Sequence, residues 1–259
     1  MKTKKSLGQH FLTSTAIIAD IVRASETTAE DTVLEIGPGE GVLTSGLLST
    51  GASVIAVEKD DRLIPVLSEK FATEISQNKL RLVHGDILTE ELSFLPSRYK
   101  LVANIPYYIT GQIFRKFLES DRQPQSMTLL IQKEVADRIM TRDGKESLLS
   151  LSIKAFGTPH YVRTVGRGAF APQPNVDSAV LHISEISKEA LRGTSENDFF
   201  KLIHAGFAHK RKQLVPNLAE QHGKEKVIKA LEKIGLNTKC RAEDLPLRHW
   251  IELAKELAD

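Results

Sequence analysis

An asparagine and a tyrosine bracket the run Asn104-Ile105-Pro106-Tyr107, which follows the apolar Leu101-Val102-Ala103 and precedes a helical pattern from Thr110. A polar amide at the end of a buried strand sits where α/β sheets usually do chemistry. Pro106 removes a backbone donor and holds its own φ, and it biases Ile105 toward extended geometry, so the loop is stiff. On such a loop Asn104 can accept the N–H of a flat, amine-bearing ring while Tyr107 stacks on the ring face. An ordinary strand-to-helix turn, with an asparagine bonding its own backbone, has the same local signature.

A second constellation lies upstream. Gly37, Gly39 and Gly41 fall at the turn between a strand pattern, Thr32–Ile36, and a helix pattern through Leu43, Leu47 and Leu48. Glycines there let backbone approach a ligand closely. Glu58 ends the next strand 21 residues after Gly37, where an acid commonly takes the two hydroxyls of a ribose. A dinucleotide fingerprint would want glycine at position 42, which is Val42, and no basic residue inside the loop could meet a pyrophosphate. The loop therefore favours a nucleoside ligand without phosphates, such as S-adenosylmethionine. A Walker A loop is excluded, since Gly144-Lys145-Glu146-Ser147 has Ile139 in place of the upstream glycine. Asp86 closes a third strand and can accept the N–H of an adenine amine, although a capping or turn aspartate looks the same.

The elements that would hold these residues alternate. Strands at 32–36, 53–57, 80–83, 101–103 and 127–131 are separated by helical patterns, including one through Leu63, Val66, Leu67 and Phe71 and one through Ile113, Phe114 and Phe117. A helix carrying Ile17, Ile18, Ile21 and Val22, with Thr13 or Ser14 as its cap, precedes them. This alternation predicts an α/β fold with a mostly parallel sheet covered on both faces. After about residue 148 the pattern changes. Leu149–Phe156 and Ser178–Ile183 read as strands, and Phe170–Asp177 is a proline-stiffened loop. The polar stretch 184–196 reads as a linker. From Asn197 the chain reads as helical, with stripes at Val227, Leu231 and Ile234 and at Trp250, Leu253, Ala254 and Leu257. The expectation is a catalytic domain over 1–186 and a small all-helical domain over 187–259.

Composition sets wide bounds. The 259 residues suffice for one large and one small domain, and 41% hydrophobic with 26% charged content is ordinary for a globular protein. The net charge of +2 means that attraction to a polyanion must come from local clustering. The lone Cys240 excludes an intrachain disulfide and a multi-cysteine zinc site. No apolar run approaches the ~20 residues of a membrane span, and the basic N-terminus leads into no long apolar region. The expected location is the cytoplasm.

Taken together, these stretches resemble one family. Gly8-Gln9-His10-Phe11-Leu12, Glu35-Ile36-Gly37-Pro38-Gly39, Gly85-Asp86-Ile87-Leu88, Asn104-Ile105-Pro106-Tyr107, Gln132-Lys133-Glu134-Val135-Ala136 and Phe170-x-Pro-x-Pro-x-Val-Asp-Ser follow each other in the order of the ribosomal RNA adenine N6-dimethyltransferases. Arg241-Ala242-Glu243-Asp244-Leu245 is similar to the small-subunit branch. The resemblance implies a class I, Rossmann-like methyltransferase domain using S-adenosyl-L-methionine, followed by a small helical RNA-binding domain. It implies a cofactor site of His10, Leu12, Gly37, Gly39, Glu58, Asp86 and Asn104, with Asn104 also facing the target amine. Tyr107 would stack on one side of a flipped adenine and Phe170 on the other. The implied partner is 16S rRNA in an immature small subunit, with two adjacent adenosines near its 3′ end as targets. No metal and no membrane are implied, and the expected state is a monomer.

Residues 201–233 hold eight Lys or Arg against three acids, a local charge of +5, and with Lys2, Lys4 and Lys5 they could face RNA. A solvated helix face would carry the same run. Lys210-Arg211-Lys212 matches a basic motif of the family, with lysine where arginine is usual, which keeps charge but loses bidentate phosphate geometry. Asn175 stands where lysine is common, and Glu146-Ser147 where Tyr-Gly is common. A large-subunit resistance-type methyltransferase, an RNA-binding assembly or transcription factor that kept the fold as a scaffold, and an adenine-N6 DNA methyltransferase are the rival readings.

Overall fold

The computed structural model describes residues 10–209 and 211–258. The chain forms two compact units. The first runs to Ala136 and resumes over Pro159–Ile186, and the second joins Asp137–Thr158 to the chain from Ser187 onward. The expected crossing near 187 is one of the crossings, but 137–158 clusters with the helical unit and not with the sheet.

The elements are β1 (Phe11–Leu12), α1 (Thr15–Ala24), β2 (Thr32–Ile36), α2 (Val42–Leu48), β3 (Ser53–Glu58), α3 (Leu63–Lys70), α4 (Ala72–Ser76), β4 (Leu80–His84), β5 (Lys100–Asn104), α5 (Thr110–Leu118), β6 (Met127–Gln132) and α6 (Lys133–Ile139). They continue with α7 (Leu148–Lys154), β7 (Thr158–Val165), β8 (Phe170–Ala171), β9 (Ser178–Ser184), α8 (Glu196–Gly206), α9 (Leu214–His222), α10 (Lys224–Lys233) and α11 (Leu247–Leu257).

Seven strands make one sheet in the order β4-β3-β2-β5-β6-β9-β7. The pairs from β4 through β6 are parallel, with Val33 opposite Val54 and Leu34 opposite Leu101. Strand β9 joins β6 antiparallel, with Leu129 opposite Leu181. Helices cover both faces of a parallel sheet, so its central strands read as nearly unbroken apolar runs. Residues 54–58 of β3 and 127–131 of β6 are all buried. Helix α1 buries Ile17, Ile18 and Ile21, and α5 buries Ile113, Phe114, Phe117 and Leu118. Ser14 is the residue at the N-cap of α1, although its side chain makes no capping bond there.

Two local expectations fail. Leu149–Phe156 is not a strand: α7 occupies it. Apolar residues at 149, 151, 153 and 155 alternate like a strand, but Ser147 and Ser150 form a reciprocal capping box that starts a helix. Strand β7 was not expected. It lies at the sheet edge and is largely exposed, so it lacks the apolar alternation that marks a half-buried strand.

In the helical unit, Phe199, Leu202 and Ile203 of α8, Leu214 and Leu218 of α9, Val227 and Leu231 of α10, and Trp250, Leu253 and Leu257 of α11 are buried. A Cβ at Gly206 would come within 2.3 Å of the Trp250 ring, so α8 and α11 meet through a glycine. Among the described residues, no helix is long and apolar enough to cross a membrane.

Candidate active site

The strand order reverses between β2 and β5. Chain connections run away from that point in both directions, leaving a crevice beyond the carboxyl ends of the strands. The residues that follow or end β2, β3, β4 and β5 are Gly37, Glu58, Asp86 and Asn104, and all four line one cavity there. His10, Leu12, Gly39 and Tyr107 line it too. Seven expected cofactor residues and Tyr107 are thus brought together by topology.

The glycine loop begins at the β2 end, where Gly37 N–H donates to the Val57 carbonyl at 2.9 Å and ties the loop to β3. Gly37 and Gly39 have φ of +65° and +60°, a left-handed conformation that residues with a Cβ rarely adopt. Gly39 N–H donates to Glu58 Oε2 at 3.1 Å, and Asp60 N–H donates to Glu58 Oε1 at 2.8 Å. The Glu58 carboxylate is therefore held by one backbone amide on each oxygen, with further lone pairs facing the cavity. Burial raises its pKa, against the pull of those amides.

Asp86 accepts from Leu88 N–H at 3.0 Å and pairs with Lys59 at 2.7 Å. Burial would raise its pKa, but Lys59 and the Leu88 amide outweigh burial, and the carboxyl sits below its ordinary value. It is an ionised acceptor at neutral pH.

Asn104 is oriented from outside its own loop. Its Nδ2 donates to the His10 carbonyl at 3.2 Å, so the amide oxygen remains as the acceptor. His10 in turn bonds the Pro172 carbonyl through Nδ1 at 2.8 Å and stacks on Tyr107 with ring centroids 6.0 Å apart. The Tyr107 hydroxyl meets Ser178 Oγ at 2.7 Å, which fixes the ring at its far end. The segment around His10 thereby braces both members of the Asn104–Tyr107 pair.

Phe170 is placed apart from the other expected site residues. It pairs with Leu12 in the small β1–β8 ladder, is 5% exposed, and belongs to the core cluster that includes Leu12, Leu43 and Val180. Its ring is not among the cavity residues. A ladder between segments this far apart in the chain turns the phenylalanine inward, which its local motif does not reveal.

Three cavity residues escaped the sequence reading. Tyr108 is 62% exposed at the rim, Lys59 pairs with Asp86, and Glu35 is 1% exposed. Neither Glu35 carboxyl oxygen has a hydrogen-bond partner among the described residues. The Thr44 hydroxyl and backbone N–H both oppose the rise, although the hydroxyl falls short of bonding geometry. Burial pushes the Glu35 pKa up to about 8, with the Glu58 charge adding to the rise and Lys70 opposing it. An acid inside the otherwise apolar run Thr32–Ile36 was the available signal.

These groups fit a sulfonium nucleoside. The cavity is lined by the glycine backbone at 37, 39 and 85, by apolar Ile36, Val57, Ile87 and Pro106, and by the buried acids Glu35 and Glu58, while its one lysine, Lys59, is paired with Asp86.

The family profile for ribosomal RNA adenine dimethylase matches residues 1–259. The chain belongs to the ribosomal RNA adenine dimethylase family. A relative from Dehalococcoides mccartyi named ribosomal RNA small subunit methyltransferase A is 44% identical, over 100% of this chain and 89% of its own length. One of the same name from Listeria innocua is 37% identical over 99% and 91%. Among solved structures, a Plasmodium falciparum dimethyladenosine transferase superposes with a TM-score of 0.83 at 25% identity, covering 94% of this chain and 96% of its own. The 23S rRNA methyltransferase ErmE gives 0.79 at 28%, over 95% and 99%. The chain has the Rossmann-like fold of these rRNA methyltransferases, and family membership makes it an S-adenosylmethionine-dependent rRNA adenine dimethyltransferase.

Of the basic motif, Lys210 lies outside the described residues. Arg211 and Lys212 are exposed between α8 and α9. That turn is braced from within, because buried Asn217 donates Nδ2 to the Gly206 carbonyl at 2.6 Å and to His209 at 3.4 Å.

Proposed function

We propose that this enzyme dimethylates N6 of two adjacent adenosines near the 3′ end of 16S rRNA, within an immature small subunit in the cytoplasm. It acts as a monomer and without a metal. The observation that carries the reading is Asn104, whose amide is turned by the His10 carbonyl so that its oxygen serves the cavity. Similarity to small-subunit relatives over the whole chain supports the choice of subunit.

S-adenosylmethionine supplies a methyl group on sulfur that is already an excellent leaving group. Glu58 takes the ribose hydroxyls and Asp86 the adenine amine, which orients the donor. The target amine is a weak nucleophile, because its lone pair is delocalised into the ring. Asn104 Oδ1 and nearby loop carbonyls accept its N–H bonds, which favours a pyramidal nitrogen with its lone pair directed at the donor. Tyr107, locked by His10 and Ser178, stacks on the flipped base and offsets roughly 1–3 kcal/mol of the unstacking cost. The product N–H becomes acidic only after attack, so no strong base is needed. Catalysis is positioning and electrostatics. Arg211 and Lys212, with Lys210, hold RNA phosphates.

The test is methyl transfer from labelled S-adenosylmethionine to unmethylated small and large ribosomal subunits, followed by nucleoside mass spectrometry. Dimethyladenosine in the small subunit is expected. Label confined to large-subunit RNA would favour the second reading, which the likeness to ErmE supports. Donor binding with no label in either would favour a scaffold role.

A further inference from the structure

An exposed aromatic stands at the mouth of the cavity, on backbone that is itself held rigid. Tyr107–Ile109 is one tight 3₁₀ turn. It is closed by Ile109 N–H donating to the Pro106 carbonyl at 3.2 Å and by the Thr110 hydroxyl donating to the Tyr107 carbonyl at 3.0 Å. Such a turn advances about 120° per residue, so three successive side chains leave it in three directions. Ile109 enters the core, Tyr107 turns to His10 and Ser178, and Tyr108 is left facing solvent at 62% exposure. Among the described residues, the large apolar side chains that stand well exposed are Val66, Tyr108, Val162 and Val176. Of these, Tyr108 alone is aromatic and Tyr108 alone lines the cavity. Its ring meets no other ring, and its hydroxyl no hydrogen-bond partner, among the described residues.

A free ring on rigid backbone is what a stacking platform needs. Tyrosine offers a large flat face and loses little conformational freedom when a base settles on it. The substrate read from the site supplies such a base. When one adenosine leaves its stack and enters the cavity, its neighbour in the chain is one nucleotide away, at the mouth, and has lost a stacking partner. Charge at the mouth permits the approach. Asp86 is paired with Lys59, and Lys59 lies within electrostatic reach of Tyr108, so an arriving phosphate meets an ion pair and not a bare carboxylate. We propose that Tyr108 is the platform for the nucleotide beside the flipped adenosine: Tyr107 stacks on the target inside the cavity, and Tyr108 on its neighbour outside. The inference rests on reading the cavity as the place where an rRNA adenosine is methylated.

The experiment is steady-state methyl transfer to unmethylated small subunits by the wild type, Tyr108→Ala and Tyr108→Phe, with S-adenosylhomocysteine affinity measured by calorimetry for each. The side chain is exposed, so neither substitution removes core packing. A stack present both before and during transfer is uniform binding, and its loss raises KM while leaving kcat. Tyr108→Ala should raise the KM for subunits by about fivefold to a hundredfold, the range for one lost base–aromatic stack, with kcat and S-adenosylhomocysteine affinity nearly unchanged. Tyr108→Phe keeps the ring and should behave as the wild type. Subunits reconstituted with 16S rRNA ligated to carry an abasic nucleotide on either side of a single target adenosine separate neighbour from target. With the abasic nucleotide on the platform side, the wild type should lose as much as Tyr108→Ala loses on intact RNA, and the variant should lose nothing further. An unchanged KM in Tyr108→Ala would overturn the proposal, as would an alanine effect that persists in full beside both abasic positions. A phenylalanine variant as impaired as the alanine one would overturn it by assigning the effect to the hydroxyl. Weakened S-adenosylhomocysteine binding with an unchanged KM for subunits would place the ring over the donor and overturn it too. No transfer by the wild type to small subunits would overturn the reading of the substrate, and this inference with it.

Discussion

Replacing Glu35 by glutamine should stabilise the free protein, and by an amount that grows with pH. The unfolded chain loses this proton near the ordinary value of 4.5, whereas the folded chain keeps it to about 8. Between those values the folded state binds more protons than the unfolded state, so stability falls as pH rises and levels off above the folded value. The difference of about 3.5 units corresponds to at most about 5 kcal/mol, at ~1.36 kcal/mol per unit. By the same linkage the wild-type penalty is under about 1 kcal/mol at pH 5 and about 3 kcal/mol at pH 7. Glutamine has nearly the same volume and does not titrate, so its denaturation curve lacks this component. The assay is urea unfolding of both proteins, without donor, at intervals from pH 5 to 9. The gap between them should widen steadily to about pH 8 and then hold. A gap that is constant across the range would show that Glu35 titrates normally, and the argument from its burial would fail.

Asn104→Ala should lower methyl transfer by about a hundredfold or more, the scale seen on removing one positioned polar group. Donor affinity by calorimetry should stay within a modest factor, and surviving turnover would remove Asn104 from the chemistry. Glu58→Gln should weaken S-adenosylhomocysteine binding by about tenfold to a hundredfold through loss of a charged acceptor, and unchanged affinity would take Glu58 off the ribose. Phe170→Ala should destabilise the first unit by about 3–5 kcal/mol, as for a core aromatic. Phe170→Leu should retain most turnover on rRNA, since packing and not stacking is its role. Loss of turnover with unchanged stability in the leucine variant would return Phe170 to the target base.

What the sequence reveals here depends on whether the decisive partner is local. The Gly37–Gly41 loop, Glu58, Asp86 and Asn104 were legible because each ends or follows a short apolar strand, and a parallel sheet gathers strand ends at its switch point without further information. The helices of the second unit were legible from their stripes. Residues 149–156 were not, since their alternation fits a strand and only a serine pair at 147 and 150 turns them into a helix. The burial of residue 170 has a longer-range cause. Its ladder partner is Leu12, and no window of the chain contains both. Glu35 is the most instructive case. As the first residue of a glycine spacing it could be taken for a landmark, and its chemistry arises only when the folded chain buries it without a counter-charge in bonding geometry. An acid in a central parallel strand contradicts the apolar pattern that buries that strand. Such contradictions concentrate at functional sites, because a position selected for packing alone would have lost the charge. The same contradiction that argues against a buried strand therefore argues for a functional group at Glu35, and the pH dependence of the stability gap between wild type and Glu35→Gln decides whether that acid is held neutral in the free protein.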